Sequence, residues 1–205
     1  MKVVAFNGSA RKDGNTAALI KHVLAELESE GIETELVQLS ERPIRGCTAC
    51  YKCYANKNKR CAVEDDVVNE CIEKMLEADG IVLGSPSYFA DVSAILKALI
   101  ERAGMTARAN DNMFGRKVGA AVVAARRSGS VHTFDSINHF FTIGEMIVVG
   151  SSYWNIGFGG NKGDVENDAE AVKTMKTLGR NMAWLLKKVN KGAAAGKAKS
   201  GARGA

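Results

Sequence analysis

Short apolar runs and amphipathic stretches alternate along the first 190 residues of the chain. The apolar runs predict five buried strands, at about residues 3–6, 34–39, 81–83, 118–125 and 146–149. Stretches with apolar residues at every third or fourth position predict helices at about residues 16–30, 66–78, 95–100, 133–144 and 167–190. Apolar strands separated by helices are typical of an α/β fold in which helices cover both faces of a parallel sheet. Five such strands suit a doubly wound sheet with the strand order 2-1-3-4-5.

The chain has 205 residues, enough for one domain with a complete hydrophobic core. We assign residues 1–190 to this domain because no linker-like stretch interrupts them. The C-terminal sequence KGAAAGKAKSGARGA (residues 191–205) is basic and lacks large apolar side chains, which predicts a disordered tail. The net charge is +5, and four of the cations lie in that tail, so the domain itself is nearly neutral. Nucleic-acid binding normally requires a basic face on the fold, and it is not expected here.

The cellular setting is inferred from the absence of long apolar runs. No run reaches the roughly 18 residues of a membrane-spanning helix, so no membrane association is expected. The N-terminal sequence MKVVAFNGSA leads directly into the patterned fold and is interpreted as a first strand rather than a signal peptide. We therefore expect a cytoplasmic protein in a reducing compartment, where structural disulfides are rare.

The loop after the first predicted strand, NGSARKDGNT (residues 7–16), is rich in hydrogen-bond donors. It joins a strand to a helix N-terminus, where free backbone N–H groups and the positive end of the helix dipole favour an anion. Its side chains add two hydroxyls, an amide and a cation, from Ser9, Thr16, Asn15 and Arg11. The loop matches neither the P-loop nor the GxGxxG pattern. We favour phosphate binding over a turn whose glycines only satisfy backbone geometry.

The loop after the third predicted strand begins the sequence GSPSYFADVSAILKALIER (residues 84–102). Pro86 fixes one backbone angle and removes a donor. Ser87, Tyr88 and Phe89 follow at the end of the strand, where free main-chain groups beside an aromatic suit a flat heteroaromatic ring. A tight turn whose aromatic side chains fill the core is an equally weighted alternative.

The loop after the fourth predicted strand, AARRSGSVHT (residues 124–133), carries small and polar groups. Its position predicts that it lines the same edge of the sheet as the other two loops. Arg126 and Arg127 face either an anionic cofactor or solvent, and the pattern alone favours solvent.

The segment GCTACYKCYANKNKRC (residues 46–61) holds four of the five cysteines of the chain, Cys47, Cys50, Cys53 and Cys61. Thiolates at this spacing can converge on one object, and a [4Fe–4S] cluster needs four of them. Structural zinc sites usually use two separated CxxC pairs, which fits three evenly stepped cysteines less well. The polar neighbours argue against packing, whereas zinc and free redox thiols stay open as alternatives.

Two other residues are interpreted as structural. Cys71 lies on the apolar stripe of a predicted helix and is expected to pack in the core. Trp184, on the last predicted helix, is also expected in the core.

These motifs resemble the NADPH-dependent FMN reductase group of flavodoxin-like proteins, and the cysteine run resembles its iron–sulfur flavoprotein branch. The resemblance covers residues 1–190 and implies a flavodoxin-like fold that binds FMN. It places the FMN phosphate on Ser9, Arg11, Asn15 and Thr16. It places the ring against Pro86, Ser87, Tyr88 and Phe89, with Ala125, Arg126 and Ser128 approaching its other side. The group is commonly oligomeric, which implies a homodimer or homotetramer with the flavin near a subunit boundary.

The resulting hypothesis is an FMN-binding redox flavoprotein that carries a [4Fe–4S] cluster and needs no catalytic side chain of its own. It would pass electrons between a two-electron partner, NAD(P)H or another donor, and one-electron carriers of the ferredoxin-like type. Basic residues around the thiols, Lys52, Lys57, Lys59 and Arg60, would steer an acidic carrier, or else form a solvated loop. The alternatives are an NAD(P)H-dependent FMN or quinone reductase without a cluster, and a non-catalytic electron carrier or a zinc-stabilised scaffold.

Overall fold

The computed structural model describes the backbone of residues 1–201 and the side chains of residues 1–190. The disorder expected for the tail at residues 191–205 therefore concerns residues outside the fully described part of the chain. No helix in the described part combines the length and apolar character that a bilayer crossing requires.

Strands and helices alternate along the described chain, as the periodicities predict. The strands are β1 (Lys2–Asn7), β2 (Glu33–Gln38), β3 (Gly80–Pro86), β4 (Val118–Ala125), β5 (Ile147–Val148) and β6 (Ile156–Phe158). The helices are α1 (Asn15–Ser29), α2 (Lys52–Asn56), α3 (Val68–Glu77), α4 (Ala94–Ala109), α5 (Ser130–Ile143) and α6 (Ala169–Gly201). Short 3-10 helices occur at Leu39–Glu41 and Asp164–Asn167.

The strands form one sheet in the order β2-β1-β3-β4-β5, and every strand pairing in it is parallel. This confirms the predicted fold class and strand order. Because all the strands run the same way, the loops after β1, β3 and β4 meet at one edge of the sheet, the carboxyl edge.

The fifth position in the sheet is divided between two short strands, which the sequence did not predict. β5 pairs with the start of β4 at Val118 and Gly119, and β6 pairs with its end at residues 123–125. Between them the chain leaves the sheet, and the side-chain Nδ2 of Asn155 donates to the carbonyl of Ala121 at 3.0 Å. The amide of Asn155 thus satisfies a buried backbone acceptor that a continuous strand would have paired.

Two hydrophobic layers hold the helices against the sheet. α1 and α6 cover one face, packing residues such as Leu19 and Met175 against Ala5 and Val82. α3, α4 and α5 cover the other, with Ile72, Leu99 and Phe141 among their buried residues. Cys71 is buried in this second layer, as expected.

The expectation for Trp184 is wrong, because its side chain is 62% exposed. Around this position on α6 the buried residues are Met182, Ala183 and Leu186, which lie on the opposite side of the helix from residue 184. The apolar stripe faces α1 and leaves the indole outside it.

The approach of α6 to α1 depends on the absence of a side chain at Gly179. A Cβ built at this position would lie 2.6 Å from the backbone oxygen of Val23 and 2.7 Å from Cβ of Glu26. We expect Gly179→Ala to lower the free energy of unfolding by about 1–3 kcal/mol, because the two helices must separate to admit a methyl group. Urea unfolding monitored by circular dichroism measures this change.

The matched control is Gly104→Ala on α4, where the nearest atoms to the new Cβ lie at an ordinary 3.7 Å. Alanine has the higher helix propensity at both sites, so this control should gain up to about 1 kcal/mol. Equal effects of the two substitutions would contradict the close approach at Gly179.

Candidate functional site

The loop between β1 and α1 (residues 8–14) is held in shape by two amide side chains. Asn7 is almost fully buried, and its Oδ1 accepts from the backbone N–H of Ser9 at 3.0 Å. Its Nδ2 donates to Oε1 of Gln38 at 2.6 Å, and Nε2 of Gln38 donates to the carbonyl of Ser9 at 2.7 Å. Oγ of Ser9 in turn accepts from the backbone N–H of Arg11 at 3.1 Å. Hydrogen bonds within the protein therefore hold the loop in this shape.

The N-terminus of α1 opens into this loop with backbone N–H groups free to bind an anion. Its N-cap residue is Gly14, which has no side chain to occupy them. Thr16 is buried in the first turn of α1, whereas Arg11, in the preceding loop, is exposed. The side chain of Asn15 binds the segment 159–163 instead, accepting from the N–H of Gly163 at 2.8 Å. The side-chain amide of Asn15 is therefore already bonded within the protein, and only its backbone N–H is left to bind a ligand in the loop.

The loop after β3 is a tight hairpin with a strained tip. Tyr88 and Asp91 exchange two backbone hydrogen bonds of 2.9 and 3.0 Å, and the two residues between them are left-handed, with φ of 49° at Phe89 and 63° at Ala90. A left-handed non-glycine residue costs roughly 1–2 kcal/mol. The ring of Phe89 is fully exposed and that of Tyr88 about half exposed, so neither fills the core. Strain and an exposed aromatic at one tip indicate a binding surface rather than a packing element.

The loop after β4 packs against this hairpin. Gly129 has φ of 83°, and a Cβ at this position would lie 2.7 Å from Ala90. Oγ1 of Thr133 donates to Oγ of Ser87 at 3.0 Å. Ala125 is buried at the end of the strand, whereas the side chains that follow it at residues 126–128 are exposed.

Ser93 joins these loops to α4. As the N-cap of α4, it donates from Oγ to the carbonyl of Gly8 at 2.6 Å, and its backbone N–H donates to Oγ of Ser85 at 2.9 Å.

We call residues 8–14, 87–91 and 126–129 the loop rim. The rim brings the three predicted loops together at the carboxyl edge, and it offers helix-terminal N–H groups, exposed arginines and exposed aromatic rings. Such a surface suits a ligand with a phosphate and a flat ring.

The cysteine segment (residues 46–61) lies between β2 and α3 and packs against α4. Oε2 of Glu101 accepts from the N–H of Cys47 at 3.3 Å. At the other end, Asn69 binds both backbone groups of Cys61, accepting from its N–H at 2.8 Å and donating to its carbonyl at 2.9 Å. Side chains of α3 and α4 therefore position both ends of the segment.

The backbone of the cysteine segment is strained between these anchors. Ala49, Tyr51, Lys57 and Lys59 all have positive φ, between 46° and 61°, without being glycine. Two of them flank Cys50. Left-handed non-glycine residues cluster where function requires a particular backbone shape.

The four cysteines of the segment line one small hollow, together with residues that include Arg102 and Met105. Its volume is about 20 Å³, room for about one water molecule. Cys47 and Cys50 are exposed, and Cys53 and Cys61 are partly buried. Among the described residues no three His, Cys, Asp or Glu side chains stand in a metal-binding arrangement. Four cysteines at one hollow are the donor set that an iron–sulfur cluster requires, but their side chains must rearrange to hold one.

The thiols differ in how readily they ionise. A hydrogen bond from the backbone N–H of Lys52, helped by the Thr48 hydroxyl, lowers the pKa of Cys50. Burial raises the pKa of Cys53. Burial also raises the pKa of Cys71 to about 12, so this fifth thiol, outside the segment, stays protonated at neutral pH. Metal ligation requires the thiolate, which separates Cys71 from the others.

A groove of about 920 Å³ runs between α4 and α5 and connects the neighbourhoods of the two candidate sites. Cys47 and Tyr51 line it from the cysteine segment, and Asp91 lines it from the hairpin of the loop rim. The two sites therefore lie along the same helix, α4.

Sequence reasoning missed the residues that position the site, namely Asn7, Gln38, Asn69, Ser93 and Arg102. Two signals were present. Arg102 lies three residues after Leu99 on the buried stripe of α4, where an apolar residue is expected. Ser93, before the first apolar residue of α4, also fits an N-cap pattern. The amides of Gln38 and Asn69 gave no such signal, because the residues that they position, Ser9 and Cys61, lie 29 and 8 positions away in sequence.

Comparison with known proteins agrees with this geometry. The sequence profile of the NADPH-dependent FMN reductase family matches residues 1–161. An iron–sulfur flavoprotein of Methanocaldococcus jannaschii is 39% identical over 203 residues, which cover 93% of this chain and 100% of the relative.

Solved structures share the fold. A flavone reductase superposes with a TM-score of 0.73 at 19% identity, and the match covers 93% of this chain but only 64% of the flavone reductase. A flavodoxin from the domain Archaea superposes with a TM-score of 0.60 at 16% identity, covering 91% of this chain and 99% of its own. These similarities show a flavodoxin-like fold, and at such identities they show the fold alone.

Proposed function

Since this chain belongs to the NADPH-dependent FMN reductase family, and within it to the iron–sulfur flavoprotein branch, we propose that it joins FMN to a [4Fe–4S] cluster in one electron-transfer unit. By its family the chain is an FMN-binding flavoprotein and a flavin-dependent oxidoreductase. The proposal adds the cluster and the exchange of electrons between a two-electron partner, such as NAD(P)H, and one-electron carriers. The observation that carries it is the single hollow lined by Cys47, Cys50, Cys53 and Cys61.

The loop rim would hold the FMN. Its phosphate would bind the N-terminus of α1, through the backbone there and the side chains of Ser9, Arg11 and Thr16. Pro86, Ser87, Tyr88 and Phe89 would orient the ring from one side. Ala125, Arg126 and Ser128 would approach it from the other. The hydrogen bonds of Asn7 and Gln38 keep the phosphate loop in shape, which limits the ordering that binding requires.

The protein residues bind and orient, and none is assigned as an acid or base. When bound, FMN supplies two-electron chemistry and an iron–sulfur cluster supplies one-electron chemistry. The thiolates of the cysteine segment would ligate the iron. Cys50 ionises more readily than Cys53, because the backbone N–H of Lys52 lowers the pKa of Cys50 and burial raises the pKa of Cys53. Helix α4, bonded to the rim at one end and to the cysteine segment along its length, keeps the two sites at a fixed separation.

A cluster-free reductase is the second candidate, an NAD(P)H-dependent enzyme that reduces FMN or quinones. The observation that favours it is that the four thiols, although they share a hollow, do not stand in a metal-binding arrangement. A non-catalytic electron carrier is the remaining alternative. It would contain flavin and iron, as in the leading proposal, but would oxidise NAD(P)H negligibly.

Cofactor counts after anaerobic purification and reconstitution distinguish these candidates. We expect one FMN and about four iron and four sulfide per chain, with a broad visible absorption that dithionite bleaches. Cys53→Ser should lose most of the iron and keep the FMN. Cys71→Ala is the matched control and should keep both, because that thiol lies outside the cysteine segment. FMN without iron, even after reconstitution, together with rapid NAD(P)H oxidation would select the cluster-free reductase.

The proposed phosphate site predicts a selective loss of FMN affinity in Arg11→Gln. The exposed guanidinium would contact only the phosphate, so the apoprotein should bind FMN about tenfold more weakly and riboflavin unchanged. Fluorescence quenching titrations of both flavins measure the two affinities. Lys12→Gln is the control, because Lys12 pairs with Glu41 instead, at 2.7 Å. Equal weakening of FMN and riboflavin would place the phosphate elsewhere.

The exposed lysines of the cysteine segment predict an acidic one-electron partner. In Lys57→Gln/Lys59→Gln, the rate of electron transfer to an acidic ferredoxin should fall several-fold at low salt and lose most of its dependence on ionic strength. Stopped-flow absorbance measures the rate at several salt concentrations. Lys21→Gln/Lys176→Gln, on the α1 and α6 face, should leave it unchanged. The same salt dependence in the wild type and the Lys57/Lys59 variant would refute this docking face.

A further inference from the structure

Arg102 is the largest fully buried side chain among the described residues, with only 1% of its surface exposed. It projects from the middle of α4 into the region between α3 and the cysteine segment. Burying a guanidinium is costly unless its charge and its N–H groups find partners. The identity of those partners indicates what the residue does.

The partners of Arg102 lie at both ends of the cysteine segment. Its Nε donates to Sγ of Cys61 at 3.3 Å, and its Nη2 donates to the carbonyl of Val63 at 2.7 Å. Its Nη1 donates to the carbonyl of Arg45, two residues before Cys47, at 3.4 Å. One side chain of α4 thus holds the chain entering the segment and the chain leaving it.

The charge of Arg102 is held in place by a second buried residue. Its Nη1 pairs with Oδ2 of Asp66, whose side chain is only 3% exposed. The other carboxylate oxygen of Asp66 accepts from the backbone N–H of Val68 at 3.1 Å, at the start of α3. The guanidinium is therefore fixed in rotation, with Nε directed at the sulfur of Cys61.

We infer that Arg102 is a positioning residue that tunes the reduction potential of the cluster, by donating Nε–H to the Cys61 sulfur when that sulfur ligates iron. This inference rests on the proposed function. Hydrogen bonds to ligating sulfurs and nearby charges set the potential of iron–sulfur clusters. An electron added to the cluster makes it more negative, so a donor and a cation at its sulfur favour the reduced state and raise the potential.

Other cations near the thiols are poorly placed for this effect. Lys52, Lys57 and Lys59 are exposed, and water and salt screen their charges. Arg60, next to Cys61 in sequence, is 43% exposed and pairs with Glu73. Arg102 acts where water is excluded, and an interaction of the same length is stronger there.

Two variants test the inference in the reconstituted holoprotein, by a dithionite titration of the cluster followed by EPR. Arg102→Lys keeps the charge but lacks the forked donor. Arg102→Gln combined with Asp66→Asn removes the ion pair without leaving a lone buried charge. At a fixed solution potential, we expect the ratio of reduced to oxidised cluster to fall about tenfold in the double variant. For a one-electron couple, this corresponds to a shift of the reduction potential by 59 mV to lower values. Arg102→Lys should show a smaller shift in the same direction.

Arg60→Gln is the matched control and should leave the potential unchanged, because it removes an exposed arginine beside the same cysteine. A spectroscopic signature separates a hydrogen bond from a general structural effect. With arginine labelled with ¹⁵N at Nε, pulsed EPR of the reduced wild type should show a ¹⁵N coupling that Arg102→Lys lacks and Arg60→Gln retains.

The outcomes distinguish this inference from the proposed function. If the wild type and both Arg102 variants carry a full cluster at the same potential, or if the wild type shows no ¹⁵N coupling, the role of Arg102 is refuted and the cluster stands. If the double variant fails to take up iron, Arg102→Lys alone tests the role: a lower potential and a lost ¹⁵N coupling support it, and an unchanged potential and coupling refute it. If the wild type itself takes up no iron, both fail together.

Discussion

The rigidity of helix α4 is the constraint on which both candidate sites depend. Its N-cap, Ser93, binds the carbonyl of Gly8 in the loop rim, and Arg102, nine positions later, binds the cysteine segment. An α-helix rises 1.5 Å per residue, so these two attachments lie roughly 14 Å apart along the axis. Neither attachment can move along α4 without breaking buried hydrogen bonds. The proposed exchange of electrons between two centres would need such a fixed separation, and one continuous helix of the core provides it.

The loop rim shows how a stable sheet tolerates strained loops at its edge. The left-handed residues Phe89 and Ala90 are closed into a hairpin by the two bonds between Tyr88 and Asp91, and Gly129 lies directly against Ala90. The strands below are buried except for Pro86 at the end of β3, so the strain is confined to a few surface residues. An exposed phenylalanine on a strained turn gains nothing from packing within this chain. Its position is understandable if a ring or another surface covers it.

The sheet and the rim could be predicted from sequence because both follow from local patterns. Apolar runs and helical spacing gave the strand order, and a parallel sheet then places the ends of β1, β3 and β4 together. The division of the fifth position could not be predicted: β6 has only three residues, and its presence depends on the amide of Asn155 satisfying the carbonyl of Ala121. The cysteine spacing predicted that the thiols share one object. It could not predict what holds them, because Arg102 reaches Cys61 across 41 positions of the chain.

The buried pair of Arg102 and Asp66 is hard to explain by stability alone. Replacing such a pair with apolar residues of similar volume is often neutral or stabilising, because removing two charges from water costs about as much as their attraction returns. The neighbouring positions on α4, Leu99 and Ala103, show that apolar residues suit this face of the helix. Asp66 neutralises the guanidinium and Val63 and Arg45 accept from it, yet Nε is directed at a cysteine sulfur, a weak acceptor as a neutral thiol. As a ligating thiolate the same sulfur becomes a charged acceptor, and the bond becomes a charge-assisted one. Under the proposed function, the arrangement is better matched to the segment with metal bound than to the free thiols, and this would account for a buried arginine on an otherwise apolar face of α4.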